Sequence, residues 1–353
     1  MPTLDINPPG RVANNLNTRN QSTAAFLLPE DTFELLYGRE CAEEIGRMAR
    51  LHPGGGVGAA ETMKPPYPAW LEEVDALFIG WHGPRLDAEL LRHLPRLRAV
   101  FHGGGSVRPH VSEAFWARGV TISAAPHVNA QPVAEFTLAA IILGLKRAWH
   151  LSAQVRRDRS FPTHPPVPGL HRTVVGLVSL GYIGRLVRER LRAFDVKVIA
   201  YDPYLPPARF RELGVESVSL RDLMLHSDVV SLHAPLNRET TGLIGGELLG
   251  LLKRDATFIN TSRGGVVREP ELVNFLAGRP DVQAVIDVTD PMPPAADSPL
   301  YTLPNVFLTP HIAGSLGPEC RRMGWAMVEE YGRYLRGEAL LHTVTREQAE
   351  AQT

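Results

Sequence analysis

One stretch, residues 173–204, limits what this chain can fold into more than any other. Residues 174–178, VVGLV, are an apolar run rich in β-branched side chains and read as a buried strand. The turn Ser179-Leu180-Gly181-Tyr182-Ile183-Gly184 follows at once. Ile183, Val187, Leu191 and Phe194 then recur at helical spacing with arginines between them. A second apolar run, residues 196–201, ends in Asp202. A βαβ unit with a tight glycine turn at its first strand–helix junction suits a dinucleotide.

The chemistry of the turn follows from its atoms. Gly181 has no Cβ, so a pyrophosphate can approach its backbone closely. Gly184 lets the helix pack near the strand, and the helix N-terminus offers free N–H groups to the anion. Asp202 stands 18 residues past Gly184. A carboxylate there accepts hydrogen bonds from an adenosine ribose and repels a 2′-phosphate, so NAD is expected over NADP. The first position of the G-x-G-x-x-G pattern is Ser179, and a small residue is expected to make that turn if its φ/ψ stays in an allowed region. A plain βαβ turn is the alternative reading; strand, helix and terminal acid in one register favour the nucleotide.

A chain of 353 residues with a net charge of −1 is expected to form two domains and gives no electrostatic case for nucleic-acid or membrane partners. Two cysteines, Cys41 and Cys320, make neither a disulfide framework nor a metal site, so no metal is expected and a reducing cytoplasm is the expected setting. No apolar run reaches the roughly 18 residues of a membrane span.

Residues 1–22, rich in Asn, Pro and Thr, are expected to form a flexible tail. A strand is expected from Ala24, a helix over 33–51, strands over 74–80 and 97–101, and a helix over 87–93 between them. Each of these two strands runs into a glycine-bearing loop, Gly80-Trp81-His82-Gly83 and His102-Gly103-Gly104-Gly105-Ser106, so the first region reads as a small parallel α/β domain. A long apolar helix from Pro132 to about Asp158 is expected to link two domains. Beyond Asp202, strands over 228–232, 256–260, 284–286 and 306–308 alternate with helices over 220–225, 245–252 and 269–276, the pattern of a doubly wound sheet. The last helix, 317–336, is expected to pack back on the first domain.

Three loops then bear on chemistry. Arg263, after the strand ending at Asn260 and before Gly264-Gly265, is a planar fork suited to a carboxylate or a carbonyl; a surface ion pair is its alternative. His311, in Thr309-Pro310-His311-Ile312-Ala313-Gly314, can exchange a proton near neutral pH, although taken alone it fits a structural histidine capping a loop better. Gly103-Gly104-Gly105 offers successive backbone N–H groups as a nest for an anion, or is merely a flexible turn.

From Phe101 to about Arg336, and more loosely from Phe26, the chain resembles the D-isomer-specific 2-hydroxyacid dehydrogenases. The segments that carry the resemblance are GLVSLGYIGR, VIAYDPY, SDVVSLHAPLNRETTGLIG, INTSRGGVV, AVIDVTDP and NVFLTPHIAG, in that order. The resemblance implies two Rossmann-like doubly wound α/β domains. The flavodoxin-like substrate domain (23–127 plus 317–345) would be split around an inserted NAD-binding domain (128–316). It implies a homodimer, a small 2-oxo or 2-hydroxy acid substrate, and Arg263 and His311 as the catalytic pair. Ser179, Gly181, Tyr182, Ile183, Gly184, Asp202, His233, Ala234, Pro235, Thr261 and Gly314 would line the cofactor, with Asp287 holding the nicotinamide carboxamide. Gly104, Gly105, Ser106, Asn129 and Arg263 would face the substrate.

One departure matters. The family carries a glutamate five residues past the aspartate, and it pairs with the histidine; here that position is Met292. Formate dehydrogenases, which resemble the family, carry glutamine there. A thioether neither holds an imidazole N–H nor favours imidazolium. His311 is therefore expected to have a lower pKa than is usual in the family, and oxo-acid reduction to be slow above neutral pH. Met292 also leaves open a nucleotide-sensing binding protein of the same fold. Formate oxidation fits less well, because the GGGSVRPH loop differs from that group's.

Overall fold

Strands buried on both faces need helices above and below them, and the chain supplies that arrangement twice. The computed structural model describes residues 22–52, 65–164 and 167–350. Apart from Ser22, the expected tail lies outside them. The first sheet contains β1 (Thr23–Phe26), β2 (Arg50–Leu51), β3 (Ala76–Ile79), β4 (Ala99–His102) and β5 (Thr121–Ala124), in the order β2-β1-β3-β4-β5 with every pairing parallel. That is the flavodoxin-like order. β1, β3 and β4 are buried at every position, as continuous apolar runs between two helical layers should be. α1 (Glu30–Leu36) and α2 (Gly38–Met48) cover one face with an aromatic cluster of Phe26, Tyr37, Phe78, Phe101 and Tyr331. α3 (Ala88–Arg92) and α4 (Glu113–Ala117) cover the other. Asp87 starts α3 by accepting from Glu89 N and Leu90 N at 3.0 and 2.9 Å, and Ser112 starts α4 by accepting from Phe115 N at 3.2 Å.

α5 (Pro126–Leu145) and α6 (Ala148–Asp158) carry the chain to a second sheet. Its strands are β6 (Thr173–Val178), β7 (Val196–Tyr201), β8 (Glu216–Ser217), β9 (Val229–Leu232), β10 (Thr257–Asn260), β11 (Gln283–Ile286) and β12 (Val306–Leu308). They lie in the order β12-β11-β10-β9-β6-β7-β8, all parallel. Helices α7 (Tyr182–Leu191), α8 (Pro207–Leu213), α9 (Leu220–His226), α10 (Gly246–Leu249) and α11 (Glu269–Gly278) make the crossovers. The chain runs outward from β6 to β8, then returns to β9 and runs the other way. The strand order therefore reverses between β6 and β9, where a crevice opens at the carboxyl edge. α12 (Cys320–Leu335) returns to the first sheet and buries Cys320, Met323, Met327 and Tyr331 beside α1 and α2. Beyond it Val344 N donates to Ile122 O at 2.9 Å, and α13 (Arg346–Glu350) ends the described chain.

Several expectations need correction. The helix expected over 33–51 stops at Met48, and Arg50–Leu51 form the edge strand β2. The linking helix begins at Pro126 rather than Pro132 and breaks at Arg147, whose φ of 50° is left-handed, so two helices replace one. α5 is long and apolar enough to cross a bilayer by length and mean hydropathy (1.4), although polar residues from His127 to Thr137 interrupt its apolar run. Half of that window is buried, and α5 packs on α7, β9 and β10 as a core helix does. β5, α4, α8 and β8 were not anticipated.

Candidate active site

The glycine turn sits at the reversal of strand order. A Cβ on Gly181 would meet no protein atom within 4 Å, whereas one on Gly184 would stand 2.3 Å from Ser179 O, so α7 reaches the turn only because residue 184 is glycine. Ser179 does not keep to the commonly allowed region: its φ is +77°, where a side chain is strained. Asp202 compensates. Its Oδ2 accepts from Leu180 N at 2.8 Å and from Ser179 Oγ at 3.3 Å, and its Oδ1 accepts from Tyr204 N at 3.1 Å. Tyr182 is exposed, and Ile183 packs partly into the core under α7.

His233 follows β9 on the other side of the reversal. It is 7% exposed, neither ring nitrogen has a hydrogen-bond partner, and its Cδ2 would lie 3.7 Å from a Cβ on Gly184. Burial pushes its pKa down to about 3, so the ring is neutral. Ala234 is buried, and Pro235 O accepts from Thr240 Oγ1 at 2.5 Å. Open space beside Gly181, a helix N-terminus and an orphaned polar ring together fit a dinucleotide.

β10, β11 and β12 are neighbours, so the loops after them start side by side. Arg263, half-buried, donates to Ser262 O at 2.7 Å, and burial pushes its guanidinium pKa down. The loop then presses on the β11 loop: a Cβ on Gly264 would stand 2.1 Å from Thr289 C and O. Asp287, 2% exposed, accepts from Thr309 Oγ1 at 2.7 Å, Ile312 N at 2.8 Å and Ala313 N at 3.0 Å, while its carbonyl accepts from His311 N at 3.0 Å. These bonds wrap the β12 loop around one carboxylate and hold His311 at a φ of +55°. Asp287 thus has a second task beside the carboxamide contact expected of it.

The His311 pKa is pushed down, by partial burial first and also by Arg263; Asp287 opposes both. The two side chains are therefore electrostatic neighbours. Met292 is 57% exposed, and Asp290 N donates to Glu269 Oε2 at 2.9 Å. Thr261 Oγ1 lies 3.1 Å from Thr137 Oγ1 of α5, turned toward the core. Asn129 Oδ1 accepts from Ser315 N at 2.8 Å and would stand 3.3 Å from a Cβ on Gly314, so it ties the loop beyond His311 to the first turns of α5.

In the first lobe, a Cβ on Gly104 would stand 2.6 Å from His102 Nε2 and 3.1 Å from Trp81 Nε1, while one on Gly105 would face open space. Ser106 Oγ is buried without a partner. His102 and His110 are buried, so they support the loop from beneath; His82 and Arg108 are exposed. Sequence reasoning missed Tyr37, whose hydroxyl lies 2.8 Å from Ile79 O and 3.1 Å from Phe101 O, where the β3 and β4 loops diverge. No local pattern marks it, because its partners are 42 and 64 residues away. Thr309, which donates to Asp287, was missed as well.

Residues 138–313 match the family described as D-isomer specific 2-hydroxyacid dehydrogenase, NAD binding domain. A glyoxylate reductase of Korarchaeum cryptofilum is 33% identical over 267 residues, 74% of this chain and 80% of that protein. The chain belongs to this family. A D-3-phosphoglycerate dehydrogenase of Mycobacterium bovis is 35% identical over 270 residues, 76% of this chain and 51% of that protein. The chain thus spans about half the length of the phosphoglycerate dehydrogenases it matches. In fold, the crystal structure of a phosphoglycerate oxidoreductase from Rhizobium etli superposes with a TM-score of 0.78 at 21% identity, covering 93% of this chain and 99% of that one. The family membership makes the second lobe an NAD-binding domain, as the glycine turn implied.

Proposed function

We propose that the chain interconverts a 2-oxo acid and a D-2-hydroxy acid with NAD(H). The observation that supports this reading is that Arg263 helps push the His311 pKa down, the two residues lying on the loops after β10 and β12, either side of β11, at the edge that also bears the glycine turn. Residues 23–127 with 317–345 are the substrate lobe, and 128–316 hold the cofactor. The amides of Gly104 and Gly105, the Ser106 hydroxyl and the Arg263 fork bind the carboxylate, and Arg263 also polarises the carbonyl. The Gly181 turn, Asp202, the segment His233–Pro235 and Gly314 hold the dinucleotide, which when bound supplies or accepts the hydride at C2; Thr261, expected beside it, supports the Arg263 loop from the core side instead. His311 gives the carbonyl oxygen its proton in reduction and takes it back in oxidation. Asp287 positions His311 and favours its imidazolium, while Asn129 anchors the same loop. Fixing carboxylate and carbonyl in one orientation lowers the barrier by several kcal/mol.

The test is NADH consumption with glyoxylate, hydroxypyruvate, pyruvate and phenylpyruvate, followed by assignment of product configuration for the last three, whose products are chiral. Turnover to a D-hydroxy acid, abolished in His311→Gln, is expected; the named relatives make glyoxylate the first to try. NADH binding with no turnover on any acid would favour a nucleotide-sensing protein, the reading that Met292 supports. No NADH binding would refute both.

A further inference from the structure

A cavity of about 340 Å³ is lined by the two segments that join the lobes covalently and by no residue of the three loops. α5 leaves the first sheet after β5 and packs on the second; α12 follows the second sheet and packs on α1 and α2. They touch each other, and the cavity opens between His127 and Val128 of α5, one face of α12, and Leu341–His342. On α12 that face carries Arg322, Trp325, Glu329 and Arg333, at helical spacings of three, four and four residues. It is not the face that Met323, Met327 and Tyr331 use to enter the core.

The cavity's polar groups are unevenly matched. Glu330 is 1% exposed, and its carboxylate already accepts from Ser123 Oγ, Leu341 N and His342 N at 3.0–3.1 Å. Arg322 faces Glu319 at 3.7 Å, and Arg333 faces Glu338 at 3.4 Å and Glu330 at 3.9 Å; these are long pairings on part-exposed guanidiniums, which leaves each fork room for a further carboxylate. Opposite, His127 and His342 stack face to face with centroids 3.4 Å apart. Burial and the neighbouring His342 push the His127 pKa down to about 4, so its ring is neutral, and its buried Nδ1 has no hydrogen-bond partner. Trp325 and the imidazole pair supply flat faces, and an arginine fork suits a carboxylate.

We infer that this cavity binds a small planar carboxylate, its charge on an α12 arginine and its ring against Trp325 and the histidine pair. Because the ligand touches both connections between the lobes, its binding is linked to NADH binding in the second lobe. Coupling is reciprocal, so a ligand that changes NADH affinity has its own affinity changed by the same factor.

Sodium benzoate is the probe, titrated calorimetrically into the full chain with and without NADH. One saturable site is expected. Arg322→Gln/Arg333→Gln should weaken it about tenfold, the loss of one charge-assisted contact. Both arginines are part-exposed and outside the core, so thermal melting should find that variant folded. Trp325→Leu should weaken binding as well, and Arg263→Gln should leave it unchanged. Loss in Arg263→Gln with retention in the double variant would put benzoate in the catalytic cleft and overturn the inference. So would the absence of saturation, and equal benzoate affinity with and without NADH would overturn the coupling.

Discussion

Asp287→Asn is the substitution whose effect can be followed furthest. The side chain keeps its shape, but one oxygen becomes an NH2. The wild-type carboxylate receives three donors, Thr309 Oγ1, Ile312 N and Ala313 N, at 2.7–3.0 Å in a site only 2% exposed. In the variant, one amide oxygen can serve Thr309 and Ile312, leaving Ala313 N facing the NH2. A buried unpaired donor costs about 1–3 kcal/mol, and each bond that loses its charge about 1 kcal/mol more. A total of about 3–5 kcal/mol predicts a drop in Tm of roughly 6–20 °C for a domain of this size. Catalysis should suffer separately, because Asp287 is the carboxylate that opposes the depression of the His311 pKa. Removing it should lower that pKa further, moving the His311-controlled limb of kcat/KM to lower pH. Thermal melts and the pH dependence of NADH oxidation with glyoxylate read the two effects. An unshifted pH limb with an unchanged Tm would refute the claim that Asp287 both fastens the loop and tunes the histidine.

Met292→Glu should raise turnover and shift the same limb to higher pH. Met292 is 57% exposed, so stability should change by no more than about 0.5 kcal/mol, and no gain in rate would count against the role given to His311. Ser179→Gly should relieve the strain at φ +77° and stabilise the second lobe by up to about 1 kcal/mol, partly offset by the lost contact to Asp202. A fall in the urea midpoint would show that the hydroxyl outweighs the strain. Acid should destabilise the fold through His102 and His233, whose folded pKa values of about 3 lie below the unfolded 6.5. The unfolded state binds more protons across that interval, so their stabilisation is complete above pH 6.5 and declines as pH falls toward 3. From pH 6.5 to 5 each histidine should cost up to about 2 kcal/mol. Urea midpoints at pH 7.5 and 5 check this, and His233→Asn should flatten the dependence.

The nucleotide unit was legible because its signals are local. A β-branched run, two glycines, a helical period and an acid all fall within 32 residues, and β6, α7 and β7 follow them closely. That the loops bearing Arg263 and His311 leave the same sheet edge was legible one step further out, since parallel strands put every following loop at one edge. Long-range partners hid the rest. β5 reads TISA, weakly apolar, because Ser123 is there to donate to Glu330, 207 residues away. The break at Arg147 interrupts an otherwise helical pattern with a residue that forms helices readily, and its side chain pairs with Asp255 on the β9–β10 crossover. The left-handed Ser179 departs from the rule that glycine takes such positions, and the Asp202 bonds that tolerate it come from the next strand end.

In the proposed mechanism a guanidinium and an imidazole from separate loops meet one small anion beside the cofactor. Calorimetric titration of oxamate, a non-reducible 2-oxo acid analogue, into the NADH complex of wild type, Arg263→Gln and His311→Gln tests it directly. Both variants should bind NADH normally and oxamate at least about tenfold more weakly. Undiminished oxamate affinity in either variant would contradict the claim.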